Sequence, residues 1–513
     1  MVLFGLAVKT PSRRFSRTLS IFLAFVAISL LTRAVLLPVS IIDLDEAAHI
    51  TGSWELMQGK ILYTDFVDNK PPLVYVYYAL AQILFGRGML AVRLLTNLIT
   101  IPLTAYAASA YFDHDRRGII AGVVFLIYSA AFLGHDMLAV NAEILMLLPA
   151  TAALVMLKRE DRAKKFLRVL LSGFLIGIAA LLKYQAILWL PALAAAILVT
   201  PGAGARKIRV ILVLILGFLI PLAGTYLIFA ATGAANNLLH WTIFQNISYT
   251  ENPIPLTEIA QRFAFKFLPF LIVTGFLWWE AYRSRDLLAR YEKVMLGALL
   301  LFSLPAAFLG FRFYPHYFVQ LYIPLALASA THLNTLLARP LTAQAKWFAG
   351  YTLFVLIGFT VANGILYYWM KSVYQETNPV FGEVADRLHA VSTNTDDTLF
   401  VWGFAPQFYY STRLRPASRF VMPQTSLTGY IAGNTYSARG HAETSLIDNA
   451  DWDLLMADLE KNRATYILDT APSGIHRWNY FPIRKFPRLF EYINAHYRLM
   501  DNIRGVSIYQ RAN

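Results

Sequence analysis

The stretch IIDLDEAAHITGSWELMQGKILYTDFVDNKPPL, residues 41–73, follows directly on an apolar run from about Leu19 to Ser40. That run is long enough to cross a bilayer, which takes about 20 apolar residues. Its N-terminal flank holds Lys9, Arg13, Arg14 and Arg17, and no small-residue cleavage site follows it. It therefore reads as an uncleaved first spanning helix with its N-terminus in the cytoplasm, and Arg33 near its far end can snorkel outward. Residues 41–70 then form the first outer loop. Within it, Glu46–Gln58 has helical spacing, with Ala47, Ile50, Trp54 and Met57 on one side, as in a helix lying in the membrane interface.

Working outward, the composition agrees with a membrane protein. Of 513 residues, 57% are apolar and only 15% charged, where soluble domains carry about 25%. Further apolar runs fall near 72–86, 90–111, 118–134, 140–157, 166–183, 185–200, 208–231, 263–280, 294–311, 317–336 and 347–370. The net charge of +14 is concentrated in short loops between these runs, which orients helices and does not point to nucleic acid. Loop 158–168 carries Lys158, Arg159, Arg162, Lys164, Lys165 and Arg168 and is expected in the cytoplasm, as are the turns marked by Arg206, Lys207 and Arg209, by Arg283, Arg285, Arg290 and Lys293, and by Arg339 and Lys346. Segment 232–259 has no Lys or Arg and belongs outside, together with everything after Met370. Four full crossings between 71 and 157 would put loop 158–168 on the wrong side. One segment there must fail to cross or one is missing, so 11 or 13 crossings are expected.

No cysteine is present, so disulfides, thiolate catalysis and Cys-ligated metals are excluded. From about residue 376 strand-like runs (Thr398–Trp402, Ser418–Met422, Ala464–Leu468, Val506–Gln510) alternate with helical patterns at Trp452–Glu460 and Leu489–His496. The expected organisation is a polytopic domain over 1–375 and a small extracytoplasmic α/β domain over 376–513.

The chemistry-bearing residues gather in the first outer loop. Asp43, Asp45 and Glu46 stand at the end of a spanning helix, where a carboxylate can take a proton from an attacking nucleophile or hold a divalent cation such as Mg²⁺ or Mn²⁺. By itself the cluster also fits a solvated loop capping a helix. Lys70 can neutralise a phosphate, and Pro71-Pro72 stiffen the entry to the next helix. His135-Asp136, Asn141 and Glu143 fall on the same outer side by the charge argument. So does Phe311-Arg312-Phe313-Tyr314-Pro315-His316-Tyr317, in which Arg312 can grip a phosphate and His316 can donate a hydrogen bond. Lys183, at a helix end, reads as a snorkelling residue. The outer loop with Asn236, Asn237, His240, Trp241, Gln245 and Tyr249 suits a cover over the site. Trp402, Tyr409, Tyr410 and Arg413 offer carbohydrate or acceptor contacts, or form a structural cap.

An acidic pair after the first helix, an interfacial helix, a Gly…Tyr turn and Lys-Pro-Pro-Leu opening the second helix closely resemble the membrane-embedded GT-C glycosyltransferases. The resemblance is to the branch of dolichyl-phosphate-mannose–protein mannosyltransferases and the bacterial aminoarabinose transferase of lipid A. The resemblance implies inverting sugar transfer from a polyprenyl-phosphate donor to a lipid, glycan or protein acceptor at the outer membrane face. It puts the base on Asp45 with Glu46 beside it, and the donor phosphate on Lys70. Asp136 or Glu143 would be the acidic residue beside the catalytic carboxylate, and Asp43, Tyr63, Arg312 and His316 would be substrate contacts. It also implies a bacterial inner membrane with a periplasmic site. A transporter or flippase of lipid-linked sugars shares the hydropathy, but should show ionisable groups deep in several helices and a repeat between halves.

Overall fold

The computed structural model describes residues 13–131, 135–158, 165–247, 254–338, 343–370, 378–392, 394, 396–423, 425–430 and 444–512. Lys9, Tyr249, Arg339 and residues 159–164 of the basic loop lie outside them. Among the described residues, eight helices are long and apolar enough to cross a membrane: Ser16–Leu36, Met89–Tyr111, Lys165–Leu182, Gly204–Ala231, Leu256–Ser284, Arg290–Phe311, Pro315–Ala338 and Ala343–Ile365. Three shorter helical segments, Arg116–Tyr128, Ala142–Lys158 and Tyr184–Leu198, stand among them. The first two bury most of their side chains in the bundle.

Contacts between helix ends sort the bundle into two faces. At one, Arg17 donates to the His114 carbonyl (3.0 Å) and Arg116 to that of Leu337 (2.7 Å). At this same face Lys158 bonds the Tyr111 carbonyl (2.8 Å) and Glu292 (2.6 Å). At the other, Arg33 donates to Ser129 (2.7 Å), Asn141 to Asp43 (2.9 Å), and Lys183 pairs with Glu143 (2.8 Å). The start of α1 (Arg13–Arg33) and Lys158 therefore share a face, as the charge pattern requires.

The odd segment is the first one. Helix α2 (Leu44–Met57) and helix α3 (Leu73–Phe85) run side by side, with Asp45 next to Lys70 at one end. Farther along, Trp54 donates to Gln82 (2.7 Å), and the turn after α3 meets Tyr410 through the Met89 amide (3.4 Å). Both ends of α3 thus lie on the side of the C-terminal domain, and α3 does not cross. Among the described residues the eight long helices and the three shorter ones, α3 left aside, give eleven helical segments between the two faces, which agrees with an odd number of crossings. The interfacial role expected of Glu46–Gln58 falls instead to α3, whose Val76, Leu80, Ile83 and Leu84 are exposed. Helix α2 is buried from Glu46 to Glu55, roofed by the C-terminal domain.

Glycines let two helices touch backbone to backbone. A Cβ on Gly173 would lie 2.0 Å from the Leu214 carbonyl oxygen, and one on Gly217 2.1 Å from that of Leu170. Membrane helices pack through such small residues because lipid offers no hydrophobic drive between them. Gly217→Leu is expected to cost roughly 1–3 kcal/mol and lower the thermal midpoint in detergent. Gly224→Leu, seven residues on in the same helix and facing open space, should leave it unchanged.

The C-terminal domain is a five-stranded sheet in the order β2-β1-β3-β5-β4. Strands β1 (Thr398–Trp402), β2 (Arg415–Pro416) and β3 (Tyr466–Asp469) are parallel, with Leu399 beside Tyr466. Strand β5 (Val506–Arg511) runs antiparallel to β3 and to β4 (Tyr497–Ile503). Helices Asn449–Asn462 and Pro487–His496 contain both patterns read from sequence. Ser418–Met422 is not a strand. Asp458 takes hydrogen bonds from Ser418 and Arg419 there, and the Arg419 carbonyl accepts from the Val67 amide (3.0 Å), tying the domain to the first outer loop. Trp402 and Tyr409 are buried within this domain, so neither offers a carbohydrate contact.

Candidate active site

Adjacent residues on a helix point about 100° apart, and this separates the acidic trio. Asp43 precedes α2 in extended conformation and accepts from the Asn141 amide (2.9 Å). Glu46 turns into the bundle and is fully buried. It accepts from Arg93 (2.9 Å) and from the amides of Ile42 (2.7 Å) and Val140 (2.8 Å). Arg93 also reaches the carbonyls of Val39 and Ser40. Glu46 is thus the buried knot joining the first loop to two helices, committed to protein partners.

Asp45 faces the opposite way, into an ion pair with Lys70 Nζ at 3.1 Å. The turn leading to Lys70 is tightly specified. Tyr63 sits at φ +67°, with its amide bonded to the Phe66 carbonyl (2.6 Å) and its buried hydroxyl donating to the Lys70 carbonyl (2.7 Å). Asp68 accepts from Tyr75 (2.7 Å) and from the Asn69 amide (2.6 Å). Tyr63 therefore positions Lys70 from below. The expected covering loop packs here too: Asn237 donates to Thr64 (2.9 Å) and Asn246 to the Asn69 carbonyl (2.9 Å).

Burial alone would raise the Asp45 pKa, but Lys70, with His316 and Lys183, outweighs it and holds the carboxyl below the usual range. Burial would lower Lys70, yet Asp45 and Asp68 drive it above its ordinary value. His49, one turn after Asp45, was not singled out in the sequence. It is fully buried beside Tyr75 and Tyr78, and burial pushes its pKa down to about 3, so it is neutral at physiological pH. Among the described residues neither ring nitrogen has a hydrogen-bond partner. The i, i+4 spacing from Asp45 was the available signal.

The second rim assembles as the charge argument placed it. His316 Nδ1 lies 2.7 Å from Asp136, and its Nε2 is 3.8 Å from Glu143. Lys183 does not snorkel outward. It turns in to Glu143 at 2.8 Å, because a buried carboxylate needs a cation more than a helix end needs a charge in water. Arg312 is buried, and its carbonyl faces Lys266 Nζ at 3.4 Å. Lys266 lies over the Tyr314 ring at 4.9 Å and had been absorbed unnoticed into an apolar run. The site thus interleaves carboxylates with cations. Among the described residues no three His, Asp or Glu side chains converge as metal ligands. Of the loop carboxylates, Asp43 accepts from Asn141, Asp45 pairs with Lys70 and Glu46 pairs with Arg93.

A family model for dolichyl-phosphate-mannose-protein mannosyltransferase matches residues 69–229. ArnT from Cupriavidus metallidurans, in a crystal structure bound to undecaprenyl phosphate, aligns over 96% of this chain and 97% of its own, with TM-score 0.59 at 16% identity. Its apo structure gives 0.58 over the same shares at the same identity. The chain has the GT-C glycosyltransferase fold. The apo oligosaccharyltransferase of Archaeoglobus fulgidus gives a TM-score of 0.49 at 13% identity, over 97% of this chain and 74% of its own. No curated protein matches the sequence. The family match takes in Lys70, Asp136, Glu143 and Lys183 but begins after Asp45, whose place rests on geometry.

Proposed function

We propose that this GT-C chain transfers a sugar from a polyprenyl-phosphate donor to a lipid, glycan or protein acceptor, with Asp45 as general base and Lys70 on the donor phosphate. The observation that carries this reading is the half-buried Asp45–Lys70 pair, 3.1 Å apart, at a rim where Lys183, His316 and Arg312 add positive charge. The leaving group is a lipid phosphate whose charge grows as the glycosidic bond breaks, and fixed cations stabilise that charge. When Lys70 engages the phosphate its hold on Asp45 weakens. The carboxylate then becomes a stronger base as the acceptor hydroxyl or amine attacks. One base facing one leaving group gives a single displacement with inversion. Glu143 and Asp136 hold Lys183 and His316 in place, Asp43 fixes Asn141, and Glu46 anchors α2. No nucleotide is needed. The ArnT structure with undecaprenyl phosphate supports a lipid-phosphate donor in this fold, and a bacterial inner membrane with the site outside agrees with the charge pattern.

The test is transfer of labelled sugar from a panel of polyprenyl-phosphate donors by purified protein, with a chelator arm. Turnover is expected to survive chelation because the loop carboxylates diverge. Lys70→Ala is expected to weaken donor binding and to move the acid limb of the kcat/KM profile to higher pH. The sign follows from Lys70 holding the Asp45 pKa down. An unshifted acid limb in an active variant contradicts the pairing. Donor bound without being consumed, in wild type, favours transport of lipid-linked sugars instead.

A further inference from the structure

At the far end of α2 a second cationic cluster stands apart from the active site. The Arg87 guanidinium carbon lies 4.5 Å from the centre of the Trp54 ring, and that of Arg413 lies 5.0 Å from it. Tyr410 stacks on the same indole at 5.8 Å, and Arg413 also lies 4.9 Å from the Tyr410 ring. Both arginines are presented by unusual backbone. Arg87 is flanked by Gly86 at φ +93° and Gly88 at φ +124°, and Arg413 itself sits at φ +59°, a conformation non-glycine residues adopt at a cost. Both are exposed, and among the described residues no carboxylate forms an ion pair with either. The nearby Glu55 interacts chiefly with Arg415 and Lys60.

Arg87 and Arg413, both placed on the Trp54 ring, repel each other, and an anion reaching both relieves that repulsion. Below them runs the exposed apolar row of α3, Val76, Leu80, Ile83, Leu84 and Phe85, which ends at Arg87. We infer that Arg87 and Arg413, braced on Trp54, bind the phosphate of a lipid headgroup whose acyl chains lie along α3. Trp54 is nine residues from Asp45, about 14 Å along the helix, so this phosphate is not the reacting one. Guanidinium forks match phosphate bidentately, and both guanidinium groups are exposed. Because Arg87 belongs to the membrane domain and Arg413 to the C-terminal domain, the bound lipid also ties the two together.

The experiment is native mass spectrometry of the full chain, titrated with phosphatidylglycerol, with inorganic phosphate as the competing arm. Wild type is expected to hold one phosphatidylglycerol that Arg87→Gln/Arg413→Gln binds at least about tenfold more weakly. Arg87→Lys/Arg413→Lys, which keeps the charge but loses the fork, should fall between. Single Arg87→Gln, on an exposed turn, reads the same loss should the double variant unfold. Equal binding by wild type and the Gln variants overturns the proposal. Displacement by millimolar inorganic phosphate also overturns it, because the lipid chains would then contribute nothing.

Discussion

Asp45→Asn is expected to slow sugar transfer by about 10²–10⁴-fold while the protein stays folded. The substitution is nearly isosteric and keeps an oxygen facing Lys70, but an amide cannot take the proton from the attacking acceptor. Stability is expected to change little. Asp45 shares its ion pair with a side chain that is itself partly solvated, whereas the bonds that fold the loop run through Glu46, Tyr63 and Asp68. Donor affinity should hold or rise, since Lys70 loses its competing carboxylate. A parallel loss of donor binding and activity would assign Asp45 to donor binding and leave the base unassigned. Rate, donor affinity and thermal midpoint, measured on one preparation, separate these outcomes.

Arg93→Met should have the largest effect on stability. Arg93 and Glu46 pair at 2.9 Å, with side chains 2% and 0% exposed. Removing one partner strands the other charge in the bundle, which costs about 3–5 kcal/mol. The double substitution Arg93→Met/Glu46→Leu takes both charges away and is expected to recover much of that loss. Two backbone amides, of Ile42 and Val140, would still lack their acceptor, so recovery should be incomplete. Thermal unfolding of the two variants against wild type checks this. Equal destabilisation by both would mean that the amide bonds to Glu46, and not its charge pairing, hold the loop.

These residues also show what a sequence can reveal. The run from Asp43 to Leu73 carries the resemblance that put Asp45 and Lys70 in one site, but their 3.1 Å pairing across 25 residues was not legible from spacing. Nor was it legible which of the adjacent Asp45 and Glu46 faces the site. That depends on Arg93, 47 positions away, and on which helix side the bundle covers. Lys183 was misjudged for the same reason, since its partner Glu143 comes from another helix. Hydropathy marked 72–86 as a short apolar run but cannot tell a helix lying at a surface from one crossing. The contacts of Trp54 and Tyr410 decide it. Strand β4 escaped notice because it is an edge strand with polar residues along it and Leu499 exposed.

The most direct test of the central claim is a single-turnover reaction of purified wild-type protein with a polyprenyl-phosphate sugar labelled in the sugar, with a candidate acceptor present. Both products are followed. The account predicts that label appears on the acceptor as unlabelled polyprenyl phosphate is released in equal amount, and that Asp45→Asn makes both about 10²–10⁴-fold more slowly. Donor that stays intact across the panel, or that crosses the bilayer unchanged in vesicles, would contradict it.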